Sequence, residues 1–211
     1  MDTLELCGLK YSYDGKTYVL NGASARMEAG KMYAILGPSG CGKTTLLALL
    51  GGLDSPGSGS ILWRGSDIAG AGLARHRRGN ASFIFQSYNL IDYMTPIENV
   101  RLATKRPALP LLERLGLNQD EAHRNVLKLS GGQQQRVAIA RALAGDAPII
   151  LADEPTGNLD EATAQDITCI LKESAHRLGK CVIVSTHSTQ LASQADVVFR
   201  LKGGALIAQT V

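Results

Sequence analysis

The 211-residue sequence predicts an α/β protein on a mostly parallel core sheet, with an antiparallel β layer near the amino end and a short helical insertion. Three observations carry that prediction. Short apolar runs alternate with longer stretches of helical periodicity, turn residues punctuate the alternation, and a glycine-rich loop follows one apolar run and opens onto a helical pattern. A chain of this length can bury a substantial core. One domain over residues 1–211 is expected, because no linker, repeat or low-complexity stretch interrupts it.

The elements follow in chain order. "KYSYDGKTYVL" places Asp14 and Gly15 between alternating strand residues, a hairpin signal, and "GSILWRGSDI" reads as a further exposed-edge strand. "KMYAILG" is a buried strand leading into the glycine-rich loop, and "TTLLALLGGL" is a helix closed by Gly51 and Gly52. After the strand "SFIF", strand signals fade over residues 87–130 and short helices take over. One starts at Thr95, with Pro96 in the first helical position and Glu98 completing a capping box; another, "PLLERLG", stops at Gly116. The α/β rhythm then returns as a helix over 132–144, the strand "PIILAD", a helix over 161–178, the strand "KCVIVST", and a hairpin turning on Gly203 and Gly204.

Composition narrows the function classes. Hydrophobic residues make up 45% and charged residues 19%, as in ordinary globular proteins. Lys plus Arg exceed Asp plus Glu by only 22 to 19, with no basic block, so no nucleic-acid partner is expected. Cys7, Cys41, Cys169 and Cys181 are scattered without a CxxC pair, which argues against a metal or disulfide framework and fits a reducing cytoplasm. No apolar run approaches the roughly 18 residues needed to cross a bilayer, and "MDTLELCGLK" lacks the blocks of a signal peptide.

"GPSGCGKT", Gly37 to Thr44, satisfies the phosphate-loop template G-x-x-x-x-G-K-[ST] in the context that template needs, after a strand and before a helix. Gly37, Gly40 and Gly42 let the backbone wrap a phosphate chain, with Pro38, Ser39 and Cys41 between them and Thr45 following; successive amides and the helix start then face negative charge. Lys43 reaches the β and γ phosphates, and the Thr44 hydroxyl takes a place on Mg²⁺. Cys41 reads as a small residue in the loop. Asp153, at the carboxyl end of "PIILAD", is the second Mg²⁺ anchor, directly or through water, and Glu154 is the candidate general base. Further on, Ser130 and Gln133 form an S-x-x-Q capping box around Gly131 and Gly132, a bare helix amino terminus that favours an anion.

The phosphate loop, "LSGGQ" at 129–133, "ILADEPTGNLD" and "STH" stand in the order found in ATP-binding cassette (ABC) ATPases, and the resemblance covers essentially the whole chain. It implies the P-loop ABC ATPase fold, ATP and Mg²⁺ as cofactors, and ATP hydrolysis. "LSGGQ" matches the signature motif, which implies that Ser130, Gly131, Gly132 and Gln133 address the γ phosphate of ATP held by a second subunit in an ATP-dependent homodimer. Gln86 matches the Q-loop glutamine, which senses metal and nucleotide. Asn158, Leu159 and Asp160 match the D-loop, with Asp160 equally suited to a helix cap, and His187 matches the switch histidine. An aromatic that stacks on adenine selects Tyr13, with Tyr11 as the alternative. His76, His123 and His176 lack such context and are expected to be solvated.

"FQSYNLIDYMTPIENV" and "DEPTGNLD" resemble the macrolide-exporter, lipoprotein-releasing and antimicrobial-peptide transporter branch. Its members pair with a separate transmembrane permease, which implies a cytoplasmic protein peripheral on the membrane. The insertion between Gln86 and Ser130 is shorter than that branch implies, which leaves docking surface and cargo open. A non-transport ABC ATPase of DNA repair or translation, and another P-loop switch or kinase, are the alternatives; the first usually carries a long coiled coil or a second cassette, and the second does not require "LSGGQ".

Overall fold

Alternation along three consecutive core strands decides which face each residue serves. Tyr33, Ile35, Ile149, Leu151, Cys181 and Ile183 are buried in one cluster, while Met32, Ala34, Ile150, Ala152, Val182 and Val184 are buried in the other. A strand with both faces covered must be apolar throughout, which is the pattern of a parallel sheet sandwiched between layers.

The structure, a computed structural model, describes residues 2–157 and 159–209. The chain runs β1 (Thr3–Tyr11), β2 (Leu20–Glu28), β3 (Met32–Leu36), α1 (Lys43–Leu50), β4 (Ser58–Trp63), β5 (Ser66–Asp67), α2 (Ile68–Ala71), α3 (Leu73–Gly79) and β6 (Ala81–Ile84). The insertion holds α4 (Pro96–Arg101), α5 (Leu109–Arg114), α6 (Gln119–His123) and a 3₁₀ turn at Val126–Lys128. Then come α7 (Gly131–Ala144), β7 (Ile149–Asp153), α8 (Glu161–His176), β8 (Cys181–Thr186), α9 (Thr189–Ala192), β9 (Val197–Lys202) and β10 (Ala205–Gln209). The core sheet has the order β10-β9-β3-β8-β7-β6, parallel throughout except β9–β10, and the antiparallel sheet has the order β2-β1-β4-β5. Both sheets and their order of appearance agree with the sequence reading. Gly204 joins them: its carbonyl accepts from Asn21 N at 2.9 Å, and a Cβ there would stand 2.6 Å from that nitrogen.

Local chemistry sets the helix starts. The Thr95–Glu98 capping box is complete on α4, and α5 ends before Gly116 at φ 83°. α6 was not expected, although its signal is present: Asn118 and Glu121 form a second capping box in the insertion. α2 and α3 were not expected either, being only four and seven residues long.

Three expectations are corrected. The β1–β2 hairpin forms, but its connection is the loop 12–19 and not a tight turn; Asp14 Oδ1 accepts from Lys16 N and Thr17 N at 2.8 and 2.7 Å, and these bonds build a wider loop. "GSILWRGSDI" is not one exposed-edge strand. It folds back at Arg64 and Gly65, both with positive φ, so that β4 lies between β1 and β5 and buries Ile61 and Trp63. His76 is not solvated: it is 2% exposed on α3, and its Nε2–H donates to Leu50 O at 2.9 Å, capping the end of α1.

Burial lowers the pKa of His76 below the ordinary 6.5. The unfolded chain therefore binds the proton first as pH falls, so this contribution to stability is present above about 6.5 and is lost on acidification. The urea midpoint should drop as pH is lowered through that range, and His76→Gln, which can still donate to Leu50 O, should flatten this part of the profile.

Candidate active site

Four neighbouring parallel strands, β3, β8, β7 and β6, end on the same edge of the sheet. Leu36 is opposite Thr186, Asp153 opposite Ser185, and Ile84 opposite Ala152. The loops leaving them begin in one row, at the crevice where open α/β sheets hold ligands. These loops carry the phosphate loop, His187, Asp153–Glu154 and Gln86.

The phosphate loop is shaped by what its glycines must avoid. Gly40 and Gly42 have φ of 77° and 106°; a Cβ on Gly42 would stand 2.7 Å from the Val19 side chain, and one on Gly37 would stand 2.5 Å from Cys41 Sγ. Cys41 thus packs over Gly37 as a small filler, while Pro38, Ser39 and Gly40 are exposed. Lys43 curls back beneath the loop: Nζ donates to Gly37 O at 2.8 Å and Pro38 O at 3.2 Å, and stands 3.2 Å from Glu154 Oε1. The Lys43 and Glu154 side chains are only 7% and 13% exposed, so each charge needs the other.

Glu154 has φ 45°, uncommon for a residue with a Cβ. Its N–H is held by Ser185 O and Ser185 Oγ at 3.1 and 3.2 Å. Its Oε2 accepts from His187 Nδ1 at 2.9 Å, leaving that ring's Nε2 turned to other partners. Asp153 accepts a hydroxyl on each oxygen, from Thr44 at 2.8 Å and from Ser185 at 2.5 Å. Ser185, wholly buried near the end of β8, carries no sequence signal for this role beyond its place at the end of a strand. Thr44 and Asp153 present hard oxygen donors side by side, and no group of three or more His, Cys, Asp or Glu could hold a metal among the described residues. That donor set fits Mg²⁺, which keeps most of its waters and takes one or two carboxylates together with phosphate oxygens.

Gln86 is exposed, with Nε2 3.7 Å from where a Gly157 Cβ would stand, so it lies over the turn that follows Glu154. The segment after it is strained: Tyr88 and Asn89 have φ of 61° and 47°. Their carbonyls are held by Arg141 Nη2 at 3.0 Å and Nη1 at 2.6 Å. Arg141 was missed because "VAIARAL" reads only as the buried face of a helix.

The signature residues cap α7 as expected. Ser130 Oγ accepts from Gln133 N, and Gln133 Oε1 accepts from Ser130 N at 2.9 Å. Gln133 Nε2 also donates to Glu121 Oε1 at 2.6 Å, and a Cβ on Gly132 would stand 3.0 Å from Thr163 Cγ2. Among the described residues no hydrogen bond joins Ser130–Gln133 to the phosphate loop of the same chain. Asp160 caps α8 through Thr163 N at 3.0 Å and Thr163 Oγ1 at 2.7 Å, and these bonds hold its carboxyl below the usual range. Leu159 packs against the core, and Asn158 lies outside the described residues. Tyr13 is exposed, with its hydroxyl 2.8 Å from Thr45 Oγ1, while Tyr11 sits edge-on to it and donates to Asp54 at 2.5 Å. The ring beside α1 is therefore that of Tyr13.

The ABC transporter family model matches residues 20–157. An uncharacterized ABC transporter ATP-binding protein, YclH of Bacillus subtilis, is 42% identical over 97% of this chain and 95% of its own. Macrolide export ATP-binding/permease protein MacB 2 of Aeromonas hydrophila is 43% identical over 95% of this chain, which spans only 33% of that protein. The dimeric structure of MJ0796, a bacterial ABC transporter cassette, matches with TM-score 0.88 at 36% identity, covering 96% of each chain. A post-hydrolysis dimer of MJ0796 bound to ADP and Pi matches with TM-score 0.87 at 34% identity and 98% coverage of each.

The Arg141 clamp predicts a local effect. Arg141→Met should cost about 1–2 kcal/mol in urea denaturation, with faster amide exchange confined to the segment around Tyr88 and Asn89.

Proposed function

Since the chain belongs to the ABC transporter family, as an ATP-hydrolysing subunit related to the macrolide-exporter branch, we propose that it powers export or release of a peptide, lipid-linked or drug-like cargo through a separate transmembrane permease. Among the described residues no helix is long and apolar enough to cross a membrane, and the proposed place of the chain is the cytoplasmic face, peripheral to that permease. Residues 1–211 serve as one ABC ATPase domain; in support, Leu112, Ala122 and Val126 of the insertion share a single core cluster with Ile150 and Val182 of the sheet.

Two copies sandwich two ATP molecules, each held by Gly37–Thr45 of one copy and by Ser130–Gln133 of the other, with Tyr13 against adenine and the D-loop, through Asp160, at the interface. The observation that carries the mechanism is the position of Glu154, between Lys43 at 3.2 Å and His187 at 2.9 Å. A γ phosphate on Lys43 competes with Glu154 for the ammonium and frees Oε1 to take a proton from water, while Oε2 stays with His187. The water oxygen then bonds to the γ phosphorus as the bond to the β–γ bridging oxygen breaks, and ADP leaves. Lys43 stabilises the charge that develops on the phosphoryl oxygens, and His187 joins it when its Nε2 also carries a proton. Thr44, Asp153 and Gln86 would hold Mg²⁺, which neutralises phosphate charge when bound.

Glu154→Gln should bind ATP and accumulate as a dimer by light scattering while turnover falls at least about 100-fold. Wild-type turnover would remove Glu154 as the base. Lys43→Ala should instead weaken ATP binding by about 100-fold, measured by titration with a fluorescent nucleotide, and undiminished affinity would count against the phosphate cradle.

A further inference from the structure

One buried polar side chain lies between the two halves of the proposed site and has no role in the mechanism above. Gln135 sits on α7 just beyond the signature glycines, is 1% exposed, and is followed on the helix by the buried run Val137–Ala140. Its Nε2 donates to Pro155 O at 2.8 Å, the carbonyl next to Glu154 in the chain. Its Oε1 is buried with no hydrogen-bond partner among the described residues. Flipping the amide gives no relief, because Oε1 would then face the Pro155 carbonyl, acceptor against acceptor. An unpaired buried acceptor lowers stability. Methionine or leucine would fill this space but would leave Pro155 O unpaired, so what the amide adds over an apolar side chain is its bond to that one carbonyl.

The turn it reaches begins at a strained residue. Glu154 holds φ 45°, its N–H is fixed from β8 by Ser185, and its carbonyl accepts from Gly157 N at 3.2 Å. Gln135 supplies a further hold, from α7.

We infer that Gln135 is a positioning residue, whose amide ties the Glu154–Gly157 turn to the first turns of α7, so that a chain's signature end and its own catalytic glutamate move together. This rests on the reading of Glu154 as the base and of Ser130–Gln133 as the face toward the partner's nucleotide. Under that reading Gln135 links the two ATP sites of the dimer: nucleotide drawing on the signature end of one copy adjusts the glutamate at that copy's own site.

Gln135→Met tests it. The substitution removes the orphaned Oε1 and leaves Pro155 O unpaired, one buried acceptor exchanged for another, so the melting temperature should stay within about 3 °C. The value of kcat should fall at least about tenfold while KM for ATP stays within about twofold, the pattern of a misplaced catalytic group. The amides of Gly157 and Leu159 should exchange faster, with β7 and β8 still protected. Wild-type kcat overturns the inference. So does a lowered melting temperature with unchanged kcat per folded molecule, which is the behaviour of a packing residue. If methionine does not fold, Gln135→Leu takes the same measurements, and failure of both assigns Gln135 to packing. Glu154→Gln run alongside separates the two readings: a slow Glu154→Gln with a fast Gln135→Met removes this inference alone, whereas a fast Glu154→Gln removes the base beneath it.

Discussion

Parallel pairing of β3, β8, β7 and β6 is the constraint on which the site depends, because parallel strands have their carboxyl ends on one side and their departing loops must share an edge. The register adds precision to that direction: Asp153 stands opposite Ser185, close enough for the serine hydroxyl to bind the carboxylate and for Ser185 also to hold Glu154 N. Had one of the four run the other way, its loop would have opened on the far edge. The one antiparallel member, β10, lies at the outer margin of the sheet and contributes no loop to the row.

Crowding charged groups into that row has an electrostatic consequence. Lys43 and Glu154 are both nearly buried, and two charges removed from water are tolerated only when paired and hydrogen-bonded. The Lys43 ammonium is fully engaged, by two loop carbonyls and one carboxylate, and the carboxylate is engaged again by His187. The phosphate loop, the strand-end acid Glu154 and the residue after β8 are therefore joined in a single polar network.

α7 is the second organising element. Its alanines, Ala138, Ala140, Ala142 and Ala144, are all buried, and its polar side chains reach otherwise separate segments. Gln135 holds the Pro155 carbonyl, Arg136 bridges Leu115 O in the insertion and Asp166 on α8, and Arg141 holds the strained Tyr88–Asn89 pair. Hydrogen bonds thereby tie this helix to the insertion, to the segment after Gln86 and to the turn after Glu154.

The parts of this molecule legible in the sequence are those whose cause lies within a few residues. The caps at Thr95–Glu98 and Ser130–Gln133 each close over three positions, the glycine loop needs only its own spacing and flanking elements, and the strands announce themselves by continuous apolar runs. α6 belongs with these, since its Asn118–Glu121 box was present to be read. What tertiary structure alone decided has its cause on a distant segment: His76 under Leu50, Arg141 on the carbonyls of Tyr88 and Asn89, Ser185 on Asp153, and Glu154 between Lys43 and His187. Local propensity and periodicity follow from short-range sterics and hydrogen bonding. Which polar groups end up buried together follows from strand order and register, which exist only once the chain has closed on itself.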